Sequence, residues 1–441
     1  MTQPLRIACG LVIFAGLFIA QIATVRTDQA PPVSVPGIDK PVVVVTGTVS
    51  ANETWVNTNY YVLRGAVFVP DGATLTIQAG TTVVGESWST GTLVVSRGGR
   101  LIAIGTATEP IVFTSDQPVG NRARGDWGGL ILNGRATLNV PGGEAAGEGS
   151  TGTYGGDNDD DNSGTLRYVR VEFAGVEFSP DNELNGIAFQ GVGRGTSVDF
   201  VQVHMNRDDA MEFFGGTVDV KHVVLSNAAD DSFDWTQGWR GRAQFIAITQ
   251  RSDDADWGIE ADSNGSNHNF LPRANPIIYN MTICGDPDRN EGAESVRAAL
   301  FRVGTAVTFR NFLILGSKNL GIQMNDTATL DQVANGTTQI GAGVIAGPGT
   351  PLHSSVAPFV ASGRFPNVLT NPGNIGVSAV DCANHPSPNF QPTSIASLAG
   401  GQLAPILPPN DGFFEVVTFI GAVPPAPELD WSAGWTSYPQ Q

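Results

Sequence analysis

Basic side chains are scarce in this sequence. The 441 residues include 24 lysines and arginines against 42 aspartates and glutamates, which gives a formal net charge of -18. A surface of that sign repels the phosphates of nucleic acid and of anionic membranes, because binding them needs clustered Lys and Arg. The charge therefore excludes a nucleic-acid partner, and a membrane partner beyond an export segment. It favours cations, or sugars presented with cations.

Helical periodicity is also missing after the N-terminus, where no long run sustains apolar residues at i, i+3 and i+4. The chain holds 54 glycines and 28 prolines instead. From Tyr60, short alternating segments end at Gly or Asp-Gly turns, as in "YYVLRGAVFVPDGATLTIQAG". These features predict an all-β protein.

The one conspicuous apolar run lies at the N-terminus. Residues 1–23 contain a single charged side chain, Arg6, and an apolar run that is short for a bilayer span. We interpret this segment as a signal peptide, with an uncleaved anchor as the alternative, and predict a secreted, periplasmic or cell-surface protein. Of the 3 cysteines, Cys284 and Cys382 lie beyond it. They form either one disulfide or two buried thiols.

An acidic motif occurs three times in tandem. The copies are "DDAMEFFGG" from Asp208, "DDSFDWTQG" from Asp230 and "SDDADWGIE" from Ser252. Equivalent acids are 22 residues apart, from 231 - 209 and 253 - 231, and apolar columns such as Val201, Val223 and Phe245 share the step. A tandem period of this length indicates a solenoid. Its coils would stack at about 4.8 Å, the spacing of parallel strands.

Longer motifs support a resemblance to a known family. The strings are "GDWGGLIL", "NSGTLRYVRVEFAG", "PRANPIIYNMTICG" and "FIGAVPPAPELDWSAGWTSY". In this order they resemble bacterial secreted or cell-surface β-helix proteins of the pectin-lyase-like fold. The resemblance implies an all-β, single-stranded right-handed parallel β-helix with long loops and a C-terminal cap. It implies no activity that transfers residue by residue.

The predicted organisation has one main domain. Residues 1–23 are the signal peptide, 24–59 an N-terminal tether with the first strand, and 60–441 the parallel β-helix. Within that domain, residues 345–410 are rich in Pro, Gly, Ser and Asn and are expected to form loops. Residues 411–441 are expected to cap an open edge of the solenoid.

Strand alternation turns one acid of each motif copy outward, because its neighbours on both sides are apolar. These acids are Glu212, Asp234 and Asp256, and with Arg207 they are the candidate catalytic residues. Like charges about 5 Å apart repel by about 3 kcal/mol at an effective dielectric near 20. A bound Ca²⁺ or a raised pKa would offset that repulsion, and a solvated column is the structural alternative.

The candidate metal ligands extend this acidic set. They are Asp209, Asp231, Asp253, Glu212, Asp234 and Asp256, with Asp157, Asp159 and Asp161 from the loop "DNDDDNSG". The acidic pairs could instead cap turns by bonding backbone N–H groups. The loop departs from an EF-hand because Asn162 takes the place of its invariant Gly, so it is either a looser calcium loop or solvated.

Tryptophans supply candidate sugar platforms, since an aromatic face covers the apolar face of a pyranose. Trp239 and Trp127 are the chosen ligand-binding residues, with Trp431 and Trp435 also considered and ordinary packing as the alternative. The leading hypothesis is an exported, non-catalytic β-helix protein that binds glycan or another extracellular partner with the assistance of Ca²⁺. A polysaccharide lyase or glycoside hydrolase acting at the acidic face, and a purely architectural surface protein, remain alternatives.

Overall fold

The computed structural model describes residues 39–179, 182–251, 255–286, 297–317, 320–347, 349–372, 379–383, 387–393 and 403–440. Two predicted features, the signal peptide at residues 1–23 and Asp253, lie outside these ranges. Within them, no helix combines the length and the apolar character needed to cross a membrane.

Short strands dominate the described chain. They are β1 Val42–Thr48, β2 Glu53–Trp55, β3 Tyr60–Val69, β4 Thr74–Ile77, β5 Thr82–Gly85, β6 Thr92–Val95, β7 Arg100–Ile104, β8 Ile111–Ser115, β9 Gly129–Asn133, β10 Glu144–Ala146, β11 Thr153–Gly155, β12 Gly164–Glu172, β13 Glu177–Ser179, β14 Asn182–Glu183, β15 Ile187–Gln190, β16 Ser197–His204, β17 Met211–Phe214, β18 Asp219–Ser226, β19 Phe233–Thr236, β20 Arg242–Thr249, β21 Trp257–Ala261, β22 Ile277–Cys284, β23 Arg297–Phe301, β24 Thr308–Leu315, β25 Leu320–Met324, β26 Gln339–Ala346, β27 Thr350–Leu352 and β28 Val368–Thr370. The helices are α1 Thr327–Asn335, α2 Ala357–Ala361 and α3 Ala379–Cys382, with 3-10 turns at Ser87–Ser89 and Glu148–Ser150.

Parallel pairing between successive coils builds three stacks of strands. Stack 1 contains β2, β4, β7 and the first halves of β12, β16, β18, β20, β22, β24 and β26. Stack 2 contains β5, β8 and the second halves of the same long strands, and ends at β28. Stack 3 contains the second half of β3, then β6, β9, β15, β17, β19, β21, β23, β25 and β27. The solenoid is therefore the predicted right-handed parallel β-helix.

The core lies inside the three stacks. Each stack contributes columns of fully buried apolar side chains, for example Val203, Leu225 and Ile248 in stack 2. One coil contributes only one rung to each column, so its apolar face is buried only when the neighbouring coils are in place. This explains why the chain repeats the same pattern from coil to coil.

One predicted apolar column was wrong by one residue. Val201 and Val223 pair as expected, but the next member is Ile246 and not Phe245. The step there is 246 - 223 = 23 residues, and Phe245 has a φ of 60°. It occupies the bend between stacks 1 and 2, where the left-handed conformation turns the chain from one stack to the next.

The bend residues form an aromatic column of their own. Tyr168, Phe200 and His222 share the left-handed conformation of Phe245. Adjacent rings stack at centroid distances of 4.5, 4.3 and 5.0 Å. A left-handed residue other than Gly costs about 1–2 kcal/mol, so this stacking helps to offset a strain that recurs on these four coils.

The C-terminal segment 403–440, which we call the strap, packs on the flank of the solenoid. Gln202 in stack 2 exchanges two hydrogen bonds with the backbone of Ser437, at 2.8 and 2.9 Å. Gln244 in stack 1 makes a similar pair with Glu415, both at 2.8 Å. The predicted cap segment thus lies along several coils, and its apolar residues pack on the outer face of stack 2.

A disulfide joins Cys284 on β22 to Cys382 at the end of α3. The two cysteines are buried with Leu313 and Leu315 from the outer face of stack 2 and Ile420 from the strap. Of the two alternatives that the sequence left open, the structure contains the disulfide. It holds the loop-rich region against the same flank that the strap covers.

Candidate functional site

Stack 3 carries the outward acidic column that the motif predicted, with one change of member. Glu212 pairs with Asp234, and Asp234 pairs with Glu260. The prediction that Asp256 would be the third member was wrong, because the step lengthens from 22 to 260 - 234 = 26 residues where the chain enters β21. The column is bounded by Ala188 on the preceding coil and Leu300 on the following one.

Glu260 was missed although the sequence held a signal for it. An acid between two core residues occurs at Glu212, at Asp234 and again in Ile259-Glu260-Ala261. The repeat of "DD" at a fixed step predicted Asp256 instead. Alternation within the strand is the better guide, since it decides which face a side chain occupies.

The acidic pairs lie at the corner that leads from stack 2 into stack 3. Asp209 and Asp231 are buried, at 6% and 5% exposed. Asp209 accepts a hydrogen bond from the backbone N–H of Asp231 at 3.0 Å, and Asp231 accepts one from Trp257 at 2.6 Å. Each carboxylate thus bonds the next coil, which is the turn-capping role that the sequence offered as an alternative.

The same carboxylates also crowd together. Within the described residues, three groups bring one carboxylate oxygen from each member within 4.8 Å of the others. They are Asp208 with Asp209 and Asp230, Asp209 with Asp231 and Asp234, and Asp230 with Asp231 and Asp256. We call these residues, with Glu212 and Glu260, the acidic cleft.

Hydrogen-bond donors are too few to satisfy the cleft. Oδ1 of Asp234 is buried and has no hydrogen-bond partner among the described residues. Asn185, only 1% exposed, donates its side-chain amide to Oε2 of Glu212 at 2.6 Å, while its own Oδ1 has no partner in the described part of the chain. Buried acceptors without donors are costly, so the cleft calls for a proton or a cation.

Burial and mutual repulsion raise the pKa of these acids. Burial, followed by the charge of Asp230, raises the pKa of Asp208 to about 7. Burial raises the pKa of Glu260 to about 7 even though Arg302 opposes the change. Burial and then Glu212 raise the pKa of Asp234 well above its usual range. Without a cation, the cleft therefore retains protons at a pH where free carboxylates are ionised.

Two arginines border the cleft on its C-terminal side. Arg297 pairs with Asp256, and its guanidinium lies 4.2 Å from the ring centroid of Trp257. Burial lowers the pKa of Arg297, and its Nε has no hydrogen-bond partner among the described residues. Arg302 pairs with Glu260 and, at 2.8 Å, with Asp262.

Inserted segments border the other side. The hairpin of β10 and β11 brings Glu148, whose pKa burial and then Glu183 raise to about 7, and Tyr154, which donates to Oε1 of Gln237 at 3.0 Å. The candidate Arg207 lies at the rim, 56% exposed, and pairs with Glu177 at 3.0 Å. Arg207 therefore lies beside the acids but has a carboxylate partner of its own.

The three loop aspartates do not form a shared site. Asp157 is exposed. Asp159 accepts from the backbone of Thr137 and pairs with Arg240 at 3.1 Å, while Asp161 accepts from the hydroxyl of Ser163 at 3.3 Å. The structure thus gives them no common centre, because Asp159 and Asp161 bond different neighbours and Asp157 is exposed.

Neither predicted sugar platform is accessible. Trp127 and Trp239 are 0% exposed, so no ligand ring can reach their faces, and this prediction was wrong. Both are core residues whose indole N–H groups donate to backbone carbonyls, at 2.8 and 3.1 Å. Trp435 belongs to the strap and is buried against the outer face of stack 2, with Trp431 packed against the same cluster. Trp88, which the sequence analysis passed over, is 62% exposed.

The composition of the cleft fits a hard divalent cation. All its closely grouped ligand atoms are carboxylate oxygens, which Ca²⁺ prefers, and two buried acceptors, Oδ1 of Asp234 and Oδ1 of Asn185, lack donors among the described residues. Asp209, Asp231 and Asp234 are the residues that would hold such an ion. Carbonyl oxygens, water or a ligand would supply the rest of its six to eight oxygens.

Comparison with known proteins gives the family. No curated protein and no solved structure matches the chain. Residues 47–346 match the family described as the pectate-lyase-like β-helix domain. The match covers more than half of the 441 residues and nearly all the coils described above. This chain therefore belongs to the pectate-lyase-like β-helix domain family.

Proposed function

We propose that this chain is an exported β-helix protein that binds extracellular polysaccharide at a calcium-loaded acidic cleft, without cleaving it. The observation that carries the proposal is the buried Oδ1 of Asp234, which lies among carboxylates and has no donor within the described chain. A bound cation would satisfy that oxygen and neutralise its neighbours at the same time.

The electrostatics support a cation over protonation alone. Two carboxylates about 4.8 Å apart repel by about 3.5 kcal/mol at an effective dielectric of 20. Asp234 has such a neighbour on each side, Glu212 and Glu260. Protonation relieves this repulsion only at the pH values where the proton is held, whereas Ca²⁺ relieves it at any pH where the acids ionise.

A cation also explains how an acidic protein could hold a glycan. The net charge of -18 repels uronate-containing polymers. Ca²⁺ bound by carboxylates would reverse that sign locally and would leave coordination positions for sugar hydroxyl and carboxylate oxygens. We place the glycan on the outer face of stack 3, because the strap already packs on the outer face of stack 2.

The test measures calcium and glycan separately. Calorimetric titration of EDTA-treated protein with CaCl₂ should show binding that Asp234→Asn weakens at least tenfold, while Asp157→Asn, an exposed acid outside the cleft, leaves it unchanged. Electrophoresis through gels containing polygalacturonate, alginate or a neutral glucan should show retardation of the wild-type protein that EDTA reduces in the uronate gels. Wild-type protein that binds no calcium and migrates unchanged in every gel would refute the proposal.

A lyase acting on uronate-containing polysaccharide is the second candidate, and Arg297 favours it. Burial lowers the pKa of Arg297, although the charges of Asp231 and Asp230 oppose the change, and a neutral guanidine would remove the proton on the carbon next to a uronate carboxylate. Loss of that proton breaks the bond between the adjacent ring carbon and the glycosidic oxygen, which takes up a proton from water, and an unsaturated sugar would remain at the new chain end. Ultraviolet absorbance would detect this unsaturated product, and the Arg297→Lys variant should form none. Polymer bound without any such product would leave the binding function alone.

A further inference from the structure

Trp88 presents a large apolar surface to solvent at a corner of the solenoid. It lies in the 3-10 turn Ser87–Ser89, between β5 of stack 2 and β6 of stack 3, and is 62% exposed. We propose that Trp88 is a platform on which a neutral sugar ring of the bound polysaccharide stacks. This inference rests on the proposed function and adds to it a second contact, distinct from the acidic cleft.

The turn that carries Trp88 is held rigidly. Arg64 makes a bidentate ion pair with Glu86, at 2.9 and 2.7 Å. Ser89 donates its hydroxyl to Glu86 at 2.7 Å and accepts the backbone N–H of Gly65 at 2.9 Å. Hydrogen bonds on both sides of Trp88 therefore fix the turn, and a fixed turn loses little entropy when a ligand binds to it.

Polar groups lie in and beside the turn that carries Trp88. The backbone N–H of Ser87 donates to Asp116 at 3.2 Å, and Gln117 donates its amide to the hydroxyl of Ser87 at 2.7 Å. The turn thus offers a carboxylate, an amide and a hydroxyl in addition to an exposed aromatic side chain, and a pyranose has surfaces for both. Its axial C–H groups form an apolar face and its hydroxyls lie at the rim.

The size of the exposed surface favours a sugar over a protein. An aromatic side chain presents up to about 250 Å², so 62% exposure leaves about 150 Å² of Trp88 in solvent. A stable protein interface needs about 800 Å² from each partner. Trp88 alone therefore supplies only a small part of the area of a stable protein interface, whereas stacking of one sugar ring needs a single aromatic face.

The position suits a polymer that also reaches the cleft. Trp88 and Asp208 occupy the same corner of the solenoid, between stacks 2 and 3, and β6 leads to β17 through β9 and β15. Three coil steps of about 4.8 Å separate the two sites by about 14 Å along the axis. An oligosaccharide of a few rings spans that distance.

The test compares Trp88→Ala with Trp88→Phe by electrophoresis in gels containing a neutral glucan or a uronate polymer. Leu429→Ala is the matched control, because Leu429 is an exposed apolar residue, 86% exposed, in the strap. We expect Trp88→Ala to weaken binding about tenfold, which is about 1.4 kcal/mol. Trp88→Phe should keep most of the affinity, and Leu429→Ala all of it.

The outcomes separate this inference from the proposed function. Equal retardation of wild-type protein and Trp88→Ala would overturn the platform and leave the calcium cleft standing. A wild-type protein that no gel retards would overturn both. Self-association that Trp88→Ala abolishes, measured by sedimentation velocity in the absence of glycan, would show a protein contact instead and overturn the platform.

Discussion

Asp234→Asn should stabilise the calcium-free protein at neutral and alkaline pH. The substitution keeps the shape of the side chain and removes its charge from the middle of the column, between Glu212 and Glu260. Burial and then Glu212 raise the pKa of Asp234, so ionisation of Asp234 disfavours the folded state. Replacing a strained buried acid by a neutral amide therefore removes a cost of folding.

The size of the effect follows from the spacing of the coils. One ionised neighbour at about 4.8 Å costs about 3.5 kcal/mol at an effective dielectric of 20. Two neighbours would double that figure, but partial protonation of the column limits it, so we expect a gain of about 3 kcal/mol at pH 8. For a chain of this size, whose entropy of unfolding is about 0.8 kcal/mol per kelvin, the midpoint should rise by about 4 °C.

Thermal unfolding followed by circular dichroism measures the effect, in EDTA and in millimolar CaCl₂. In EDTA the variant should melt above the wild type, and in calcium this difference should shrink because the wild type binds the ion more tightly. Asp157→Asn, which removes an exposed acid outside the cleft, should match the wild type in both buffers. An Asp234→Asn variant that melts below the wild type in EDTA would contradict the account of a repulsive, donor-poor column.

Three further predictions concern pH, the disulfide and the core. Burial raises the pKa of Asp208, Glu260 and Glu148 to about 7, so the folded protein retains protons that the unfolded chain releases above about pH 4. Stability in EDTA should be greatest near pH 4 and fall as the pH rises to about 7. A midpoint of thermal unfolding that rises over this range would contradict the predicted direction. Cys382→Ser opens a link across 98 residues and should cost up to about 4 kcal/mol and make the loop-rich region around residue 382 sensitive to limited proteolysis. A reducing agent should then have no further effect on the variant. Leu225→Ala, at a fully buried position, should cost about 2–5 kcal/mol in urea unfolding, and a loss well under 1 kcal/mol would contradict the inward register.

Short-range sequence patterns predicted much of the fold of this protein. Gly-limited alternating segments and the 22-residue repeat predicted the parallel β-helix, and strand alternation predicted that Glu212 and Asp234 share the outer face of one stack. These inferences succeeded because alternation and coil length are local properties of the chain. The resemblance supplied the handedness of the solenoid.

The same sequence patterns did not predict the changes in coil length. A corner can contain additional residues without disturbing the strands that it joins. A prediction that assumed a constant step of 22 residues therefore chose Asp256, whereas the sheet aligns Glu260 with Asp234. Likewise, one additional residue in a coil exchanged Phe245 for Ile246 in the core. The register is decided by which backbone groups meet across the sheet, and that depends on residues distant in sequence.

The sequence by itself determined the all-β class, the repeating coil and the acidic surface, because each follows from composition or from patterns within a few residues. Only the tertiary structure decided which acids meet, which tryptophans are buried and where the C-terminal segment lies. Trp127, Trp239 and Trp88 are all tryptophans, yet Trp127 and Trp239 are 0% exposed and Trp88 is 62% exposed. Burial depends on packing between coils, and residue type alone does not record it.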